Sequence, residues 1–336
     1  MGDRSGRISR NMTIQGDLST VHEPDGVYRI LSLDGGGAKG FYTLGVLQEI
    51  EAILNCHLHK RFDLIFGTST GSIIAALLAL GHSVKEITDF YTEHVPKVTG
   101  AWFPWTKSSA LRGLSEKVFR QRGFNEVKTG VGIVATNWDA ERPMIFKNDP
   151  AQAHGRPASF VPGFGVTVGE AVEASCAAYP YLLRKKLATP GGKNFTLIDG
   201  GYCANNPSLY ALADAVGPLK KDHRQIRLIS VGVGVYPQKG FSIGTSLSWA
   251  LKRTFGLRLA QKTFEINTQS MEWLNYALFK HIPTIRINNA YPQPEMATDL
   301  FEADLQKLNV LLQRGADSFG EQEAKLRKYL LTAEAD

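Results

Sequence analysis

Val27-Tyr28-Arg29-Ile30-Leu31-Ser32-Leu33-Asp34-Gly35-Gly36-Gly37-Ala38-Lys39-Gly40 is an apolar run that stops at an aspartate and a glycine cluster. Apolar residues then recur at Leu44, Leu47, Ile50 and Leu54. A run of that kind reads as a buried strand, and the later spacing as a helix over Phe41 to Leu54. The pattern repeats at once. Phe62 to Phe66 is a second short apolar strand, Gly67-Thr68-Ser69-Thr70-Gly71 is a second glycine-bounded turn, and Ser72 to Leu80 is apolar almost all round. Two strand–turn–helix units in succession predict a parallel sheet with helices on both faces, an α/β class.

Outward from this core the same alternation continues. Ser83 with Glu86 three residues later is a capping box that opens a helix to about His94. Val131 to Asn137, Pro143 to Lys147, Phe195 to Ile198 and Ile226 to Val233 read as strands. Glu170 to Ala178 reads as a helix stopped by Pro180, and Asn206-Pro207 opens another, to about Val216, with Asn206 as its cap. Residues 95 to 114 break the pattern: Trp102, Phe103 and Trp105 sit among prolines, glycines and lysines and read as an interfacial loop or lid, or as a loop folded on the core. Pro150 to Gly165 reads as a loop. From Gly244 onward helical patterns dominate. Residues 1 to 26 are polar and aperiodic, a flexible lead-in to one domain spanning 27 to 336.

Composition narrows the classes. In 336 residues, 43% are hydrophobic and 21% charged, which excludes a disordered or collagenous chain. Lys+Arg 38 against Asp+Glu 32 gives +6 without a block of like charges, so anionic partners are permitted and a polymeric nucleic-acid ligand is not expected. Cys56, Cys176 and Cys203 lack paired spacing, so neither a disulfide framework nor a metal cluster is expected, and reduced thiols fit the cytoplasm. The start has no apolar h-region and carries Gly6 where a myristoylation pattern needs Ser or Thr. The longest apolar run, Ile73 to Leu80, is far short of a span of ~20 residues. The sequons at Asn11 and Asn194 read as chance matches.

Three places could carry chemistry. Gly67-Thr68-Ser69-Thr70-Gly71 is a G-x-S-x-G turn between a strand and a buried helix, the setting of a nucleophile elbow; the alternative is a glycine-rich turn whose serine caps a helix. Asp34 to Gly40 can offer several backbone amides to an oxyanion. It also satisfies G-x-G-x-x-G through Gly35, Gly37 and Gly40, but the acidic residue that a dinucleotide site requires is misplaced, Asp63 lying at the start of its strand. A phosphate loop would need Lys after the last glycine, where Phe41 stands. Asp199-Gly200-Gly201 also follows a strand, and Asp199 is a candidate base for Ser69 or a turn cap. A Ser–Asp–His triad is open through His223 or His281. Leu247, Leu251, Phe255 and Leu259 recur every four residues with Lys252, Arg253, Arg258 and Lys262 between them, a basic amphipathic helix whose apolar face is expected to pack on its own domain.

Together these pieces resemble the patatin-like phospholipases from about Val27 to about Val233. The family's oxyanion loop matches Asp34, Gly35, Gly36, Gly37, Lys39 and Gly40; its elbow matches Gly67, Ser69 and Gly71; its D-G-G followed by N-N-P matches Asp199, Gly200, Gly201 and Asn205-Asn206-Pro207. Its middle block corresponds to Ala174-Ser175-Cys176-Ala177-Ala178-Tyr179-Pro180, with Cys176 in place of a serine and Tyr179 additional. The resemblance implies a three-layer fold and a lipid acyl hydrolase with a Ser69–Asp199 dyad. It implies an oxyanion hole at Gly35, Gly36 and Gly37, no catalytic histidine and no cofactor. In size and layout the chain is also similar to the compact bacterial members that act in anti-phage signalling. That likeness implies a cyclic dinucleotide activator such as cyclic GMP-AMP and peripheral contact with the inner face of the membrane. A non-catalytic nucleotide-binding protein is the remaining alternative.

Overall fold

The computed structural model describes residues 26–101, 103–155, 157–237 and 248–332, with side chains of 157 and 248–258 left aside. In chain order the elements are β1 (Tyr28–Leu33), α1 (Gly40–Leu54), β2 (Leu64–Thr68), α2 (Thr70–Ala79), α3 (Val84–Thr99) and α4 (Pro104–Phe119). They continue with β3 (Gly130–Asn137), β4 (Arg142–Lys147), α5 (Val168–Ser175), β5 (Lys185–Ala188), β6 (Asn194–Asp199), α6 (Gly201–Ala204) and α7 (Ser208–Val216). The last are β7 (Ile226–Val231), α8 (Ser248–Phe279), β8 (Thr284–Ile287), α9 (Leu305–Gly320) and α10 (Glu323–Leu331).

All eight strands form one sheet in the order β5-β6-β3-β2-β1-β7-β8, with β4 beside β3. The run β3-β2-β1-β7-β8 is parallel throughout. Strand residues alternate between two cores. Leu31, Leu33, Ile65 and Ile229 face the layer built on α1, α2 and α9, whereas Ile30, Leu64, Phe66 and Leu228 face the layer containing Ala211, Leu212 and Ala215 of α7. Burial on both faces is why the strands are apolar runs rather than alternating ones. The expected three-layer α/β architecture is therefore the one observed.

Two expectations change. The segment 95–114 is not a loop: α3 runs on to Thr99, and α4 opens at Pro104, whose missing N–H suits a first helical turn. Among the described residues from 248 onward α8, α9 and α10 dominate, and β8 adds an edge strand to β7. In α8 the stripe that packs inward is Ala260, Phe264 and Thr268, while Leu259 is exposed. The lead-in at 1–25, Trp102, Leu247 and the side chains of Leu251, Lys252, Arg253, Phe255 and Arg258 lie outside the described residues.

One departure from a parallel sheet decides the site. β3 holds β4 along one edge, from Gly132 to Asn137. Its other edge is shared: β2 pairs with Gly130 to Val134, and β6, antiparallel, takes over from Ala135 to Asn137. The carboxyl ends of β2 and β6 therefore approach each other head-on along one line. Thr68 lies opposite Val134 and Asp199 opposite Ala135.

Candidate active site

Ser69 follows the last residue of β2 and precedes the first residue of α2. Its φ of 50° and ψ of −123° are a conformation that a residue with a side chain adopts only when its surroundings force it. The flanking glycines are what force it. A Cβ on Gly67 would strike the Gly71 carbonyl, and one on Gly71 would strike the carbonyls of Leu33 and Asp34. Close approach of β2, α2 and the end of β1 thus requires glycine at both positions, and the turn throws the serine side chain outward.

The hydroxyl thrown outward meets Asp199. Ser69 Oγ donates to Asp199 Oδ2 at 2.7 Å, and the Gly201 amide donates to Asp199 Oδ1 at 2.7 Å. Asp199 is completely buried. Burial pushes its carboxyl up to about 7, opposed by the bonds from Ser69 and Gly201, which favour the anion. A serine hydroxyl therefore bonds to a carboxylate whose basicity is raised by its dry surroundings.

The glycine loop after β1 stands beside this pair. A Cβ on Gly35 would lie 3.1 Å from that of Ser69. The Gly35 amide, however, donates to the Asn205 carbonyl at 2.9 Å, and that of Ala38 to the Leu300 carbonyl at 3.0 Å. Of the three amides expected to hold an oxyanion, that of Gly35 is thus engaged in the fold, and those of Gly36 and Gly37 have no acceptor among the described residues. Gly37 has φ +58°, which aims the loop. The Thr70 and Gly71 amides, the first of α2, likewise have no acceptor there, and they put the positive end of the helix behind Ser69.

Asp34 plays a different part from Asp199. Arg286 of β8 forks onto it through Nη1 at 3.0 Å and Nη2 at 2.6 Å. Burial raises the Asp34 carboxyl to about 6 against the pull of Arg286, so it is ionised at neutral pH and ties the loop to the sheet edge. Lys39 is buried, which lowers its ammonium against the attraction of Glu265 and Asp299. Gly40 starts α1, and the Gly200 amide donates to the Ser175 carbonyl at 3.2 Å.

Residues to which the sequence assigned no role hold the arrangement. Ser175 Oγ accepts the Ser69 amide at 2.9 Å and donates to the Val134 carbonyl at 2.5 Å, joining the elbow to β3. Asn205 Nδ2 donates to the Gly35 carbonyl at 3.1 Å and to Thr268 Oγ1 at 2.8 Å; Asn267 Oδ1 accepts the Asn205 amide at 2.7 Å. The region after 240, in which no motif is visible, therefore supplies α8 as the clamp for the loop after Asp199. Ser175 and Asn205 lie inside motifs already noted; Arg286, Asn267 and Thr268 leave no local signal.

His223 and His281 do not reach this site. They pair with each other, Nδ1 to Nε2 at 2.5 Å, just before β7 and β8 begin. Ser69 lies past the opposite ends of the parallel strands, a strand length of about 20 Å away. Cys176 is buried beside Ser72 at 3.9 Å, and burial pushes its thiol up, away from a nucleophilic thiolate. Among the described residues no cluster of His, Cys, Asp and Glu could hold a metal ion. No helix there is long and apolar enough to cross a membrane.

A family model described as patatin-like phospholipase matches residues 31–212. A cUMP-AMP-activated phospholipase from Escherichia coli is 56% identical over 94% of this chain and 97% of its own length. A cGAMP-activated phospholipase from Escherichia coli strain TW11681 is 31% identical over 64% of each chain. Among solved structures, VipD from Legionella pneumophila aligns with a TM-score of 0.46 and 13% identity, over 90% of this chain and 67% of that one.

Proposed function

The chain belongs to the patatin-like phospholipase family, and on that premise we propose that Ser69 and Asp199 form a catalytic dyad that cleaves fatty-acyl esters of membrane phospholipids. The observation that carries this reading is the 2.7 Å bond between the two side chains. Asp199 takes the proton as Ser69 Oγ attacks the ester carbonyl, and the amides of Gly36 and Gly37 receive the developing oxyanion. Collapse expels the lysolipid alkoxide, which takes the proton back from Asp199, and leaves an acyl–serine. Water then attacks the acyl–serine, Asp199 again accepting and returning a proton, and the fatty acid leaves. No histidine stands between the partners. The raised basicity of Asp199 brings it close to working pH, where a general base is most effective.

The relatives support regulation by a cyclic dinucleotide. The one at 56% identity is named for cUMP-AMP and the one at 31% for cGAMP, so cUMP-AMP rather than cyclic GMP-AMP is the first activator proposed. The enzyme would work peripherally at the inner face of the membrane, as an effector in anti-phage signalling.

The test is product analysis on phospholipid vesicles, with and without each dinucleotide, for the parent, Ser69→Ala and Asp199→Asn. The expected loss in each variant is on the order of 1000-fold or more. Near-parent hydrolysis by either variant would overturn the dyad. Equal rates with and without every dinucleotide would remove the activation reading and leave the dyad standing.

A further inference from the structure

Phe103, Trp105, Trp138 and Leu183 are large apolar side chains that face solvent, each between 41% and 57% exposed. Single exposed apolar residues are ordinary, but a connected set beside an active site marks an interaction surface. These four are connected. Phe103 and Trp105 stack with 4.6 Å between centroids and 6° between planes, at the amino end of α4. One turn along, Ser108 Oγ accepts the Leu183 amide at 2.8 Å. Next in the chain, the Arg184 guanidinium lies over the ring of Trp138 at 4.3 Å and that of Tyr179 at 4.6 Å.

The same segment leads inward to the chemistry. Tyr202, just after Asp199-Gly200-Gly201, donates its hydroxyl to the Tyr179 carbonyl at 2.5 Å. Tyr181 packs on Phe301 at 4.4 Å, and Lys107 lies over that ring at 4.1 Å. The neighbouring Leu300 carbonyl accepts the Ala38 amide of the glycine loop. The exposed residues are thus the outer rim of walls whose inner ends hold Ser69 and Asp199.

The exposed cations on this rim, Arg142, Arg184 and Lys186, outnumber the exposed acids Asp139 and Glu141 that follow Trp138. Arg184 has no ion-pair partner among the described residues, Lys186 is exposed, and Glu173 is buried and paired with Lys185. We propose that the rim docks the protein on an anionic phospholipid bilayer, with Phe103, Trp105, Trp138 and Leu183 in the headgroup zone and Arg184 and Lys186 against lipid phosphates. The proposal rests on the phospholipase reading and extends it to the surface that meets the substrate. Indole and phenyl rings suit the headgroup zone, and each cation near an anionic surface strengthens binding about fivefold. A second copy of the chain is disfavoured as the occupant, since a two-fold contact would set these cations against their own copies.

The test uses the full chain carrying Ser69→Ala, so that vesicles are not consumed, with cUMP-AMP present and absent. Partition is measured on phosphatidylethanolamine–phosphatidylglycerol vesicles and on phosphatidylcholine vesicles. Phe103→Ser with Trp105→Ser is expected to weaken partition tenfold or more on both. Arg184→Glu is expected to weaken it at least fivefold on the anionic vesicles alone. Unchanged partition in these variants overturns the proposal. So does a fall in molar mass by light scattering with partition retained, which would make the rim a contact between copies. With Ser69 restored, hydrolysis of a soluble short-chain ester separates the two readings. An inactive parent sinks the phospholipase reading, whereas an active parent with unaltered vesicle binding in the variants sinks only the docking surface.

Discussion

Ser69 and Asp199, 130 positions apart in the chain, share a 2.7 Å hydrogen bond because β2 and β6 reach the same edge of β3 from opposite directions. In the proposed dyad no third residue carries the proton, so the pH dependence of hydrolysis is expected to follow one buried carboxyl.

Burial pushes that carboxyl up to about 7, and in the proposed mechanism only its anion accepts the serine proton. Below that point kcat/KM on a soluble ester should fall about tenfold per pH unit, and above it the rate should level off. A rate midpoint near 4 would mean that the base is not this buried group. The stability consequence has the opposite sense. The native state holds a proton that the unfolded state releases near 4, so the contribution is present below about 4 and is lost as pH rises through about 7. Asp199→Asn should therefore melt progressively higher relative to the parent between about pH 4 and pH 7, with the difference levelling off above that.

Ser175 is expected to act through Ser69. Ser175→Ala removes the acceptor of the Ser69 amide and the donor to the Val134 carbonyl. Unmade buried bonds of this kind cost about 1–3 kcal/mol each. Denaturant unfolding should show a loss in that range, and kcat should fall by more than KM rises because the elbow is loosened. Parent-like turnover in a folded Ser175→Ala protein would remove Ser175 from the support of the nucleophile.

Arg286 and Asp34 form a pair whose halves are unequal in mutation. Arg286→Met leaves the Asp34 carboxylate buried without its partner and should cost about 3–5 kcal/mol in urea unfolding. Adding Asp34→Asn to that variant should recover part of the loss. A single variant as stable as the parent would show that the fork does not hold the glycine loop.

His223→Ala with His281→Ala should leave turnover within about twofold of the parent, since both rings lie beyond the other end of the strands. A hundredfold drop in a protein of unchanged melting temperature would restore a histidine to the mechanism.

Much of this was legible locally. The capping box at Ser83 and Glu86 forms as its spacing requires. The strand–turn–helix units around Asp34 and Ser69 appear within two or three residues of their expected bounds, because glycine and serine at fixed offsets dictate those turns. Three elements escaped for physical reasons, one of them β8, a four-residue edge strand on β7 too short to show a period. α4 presents no clean apolar stripe, and its Pro104 start is masked by the aromatic residues around it. β5 is a four-residue edge strand, too short to show a period.

The chain itself, then, marked Ser69, Asp199 and the glycine loop as the candidates for the chemistry, since each is a short motif with its own backbone demand. Only the tertiary structure decided that β6 runs against β3, that the Gly35 amide is already engaged by Asn205, and that Arg286 and α8 brace the loops. Those facts depend on strand direction and on partners 60 to 250 residues away, and no local spacing carries information about which distant group fills a given hydrogen bond.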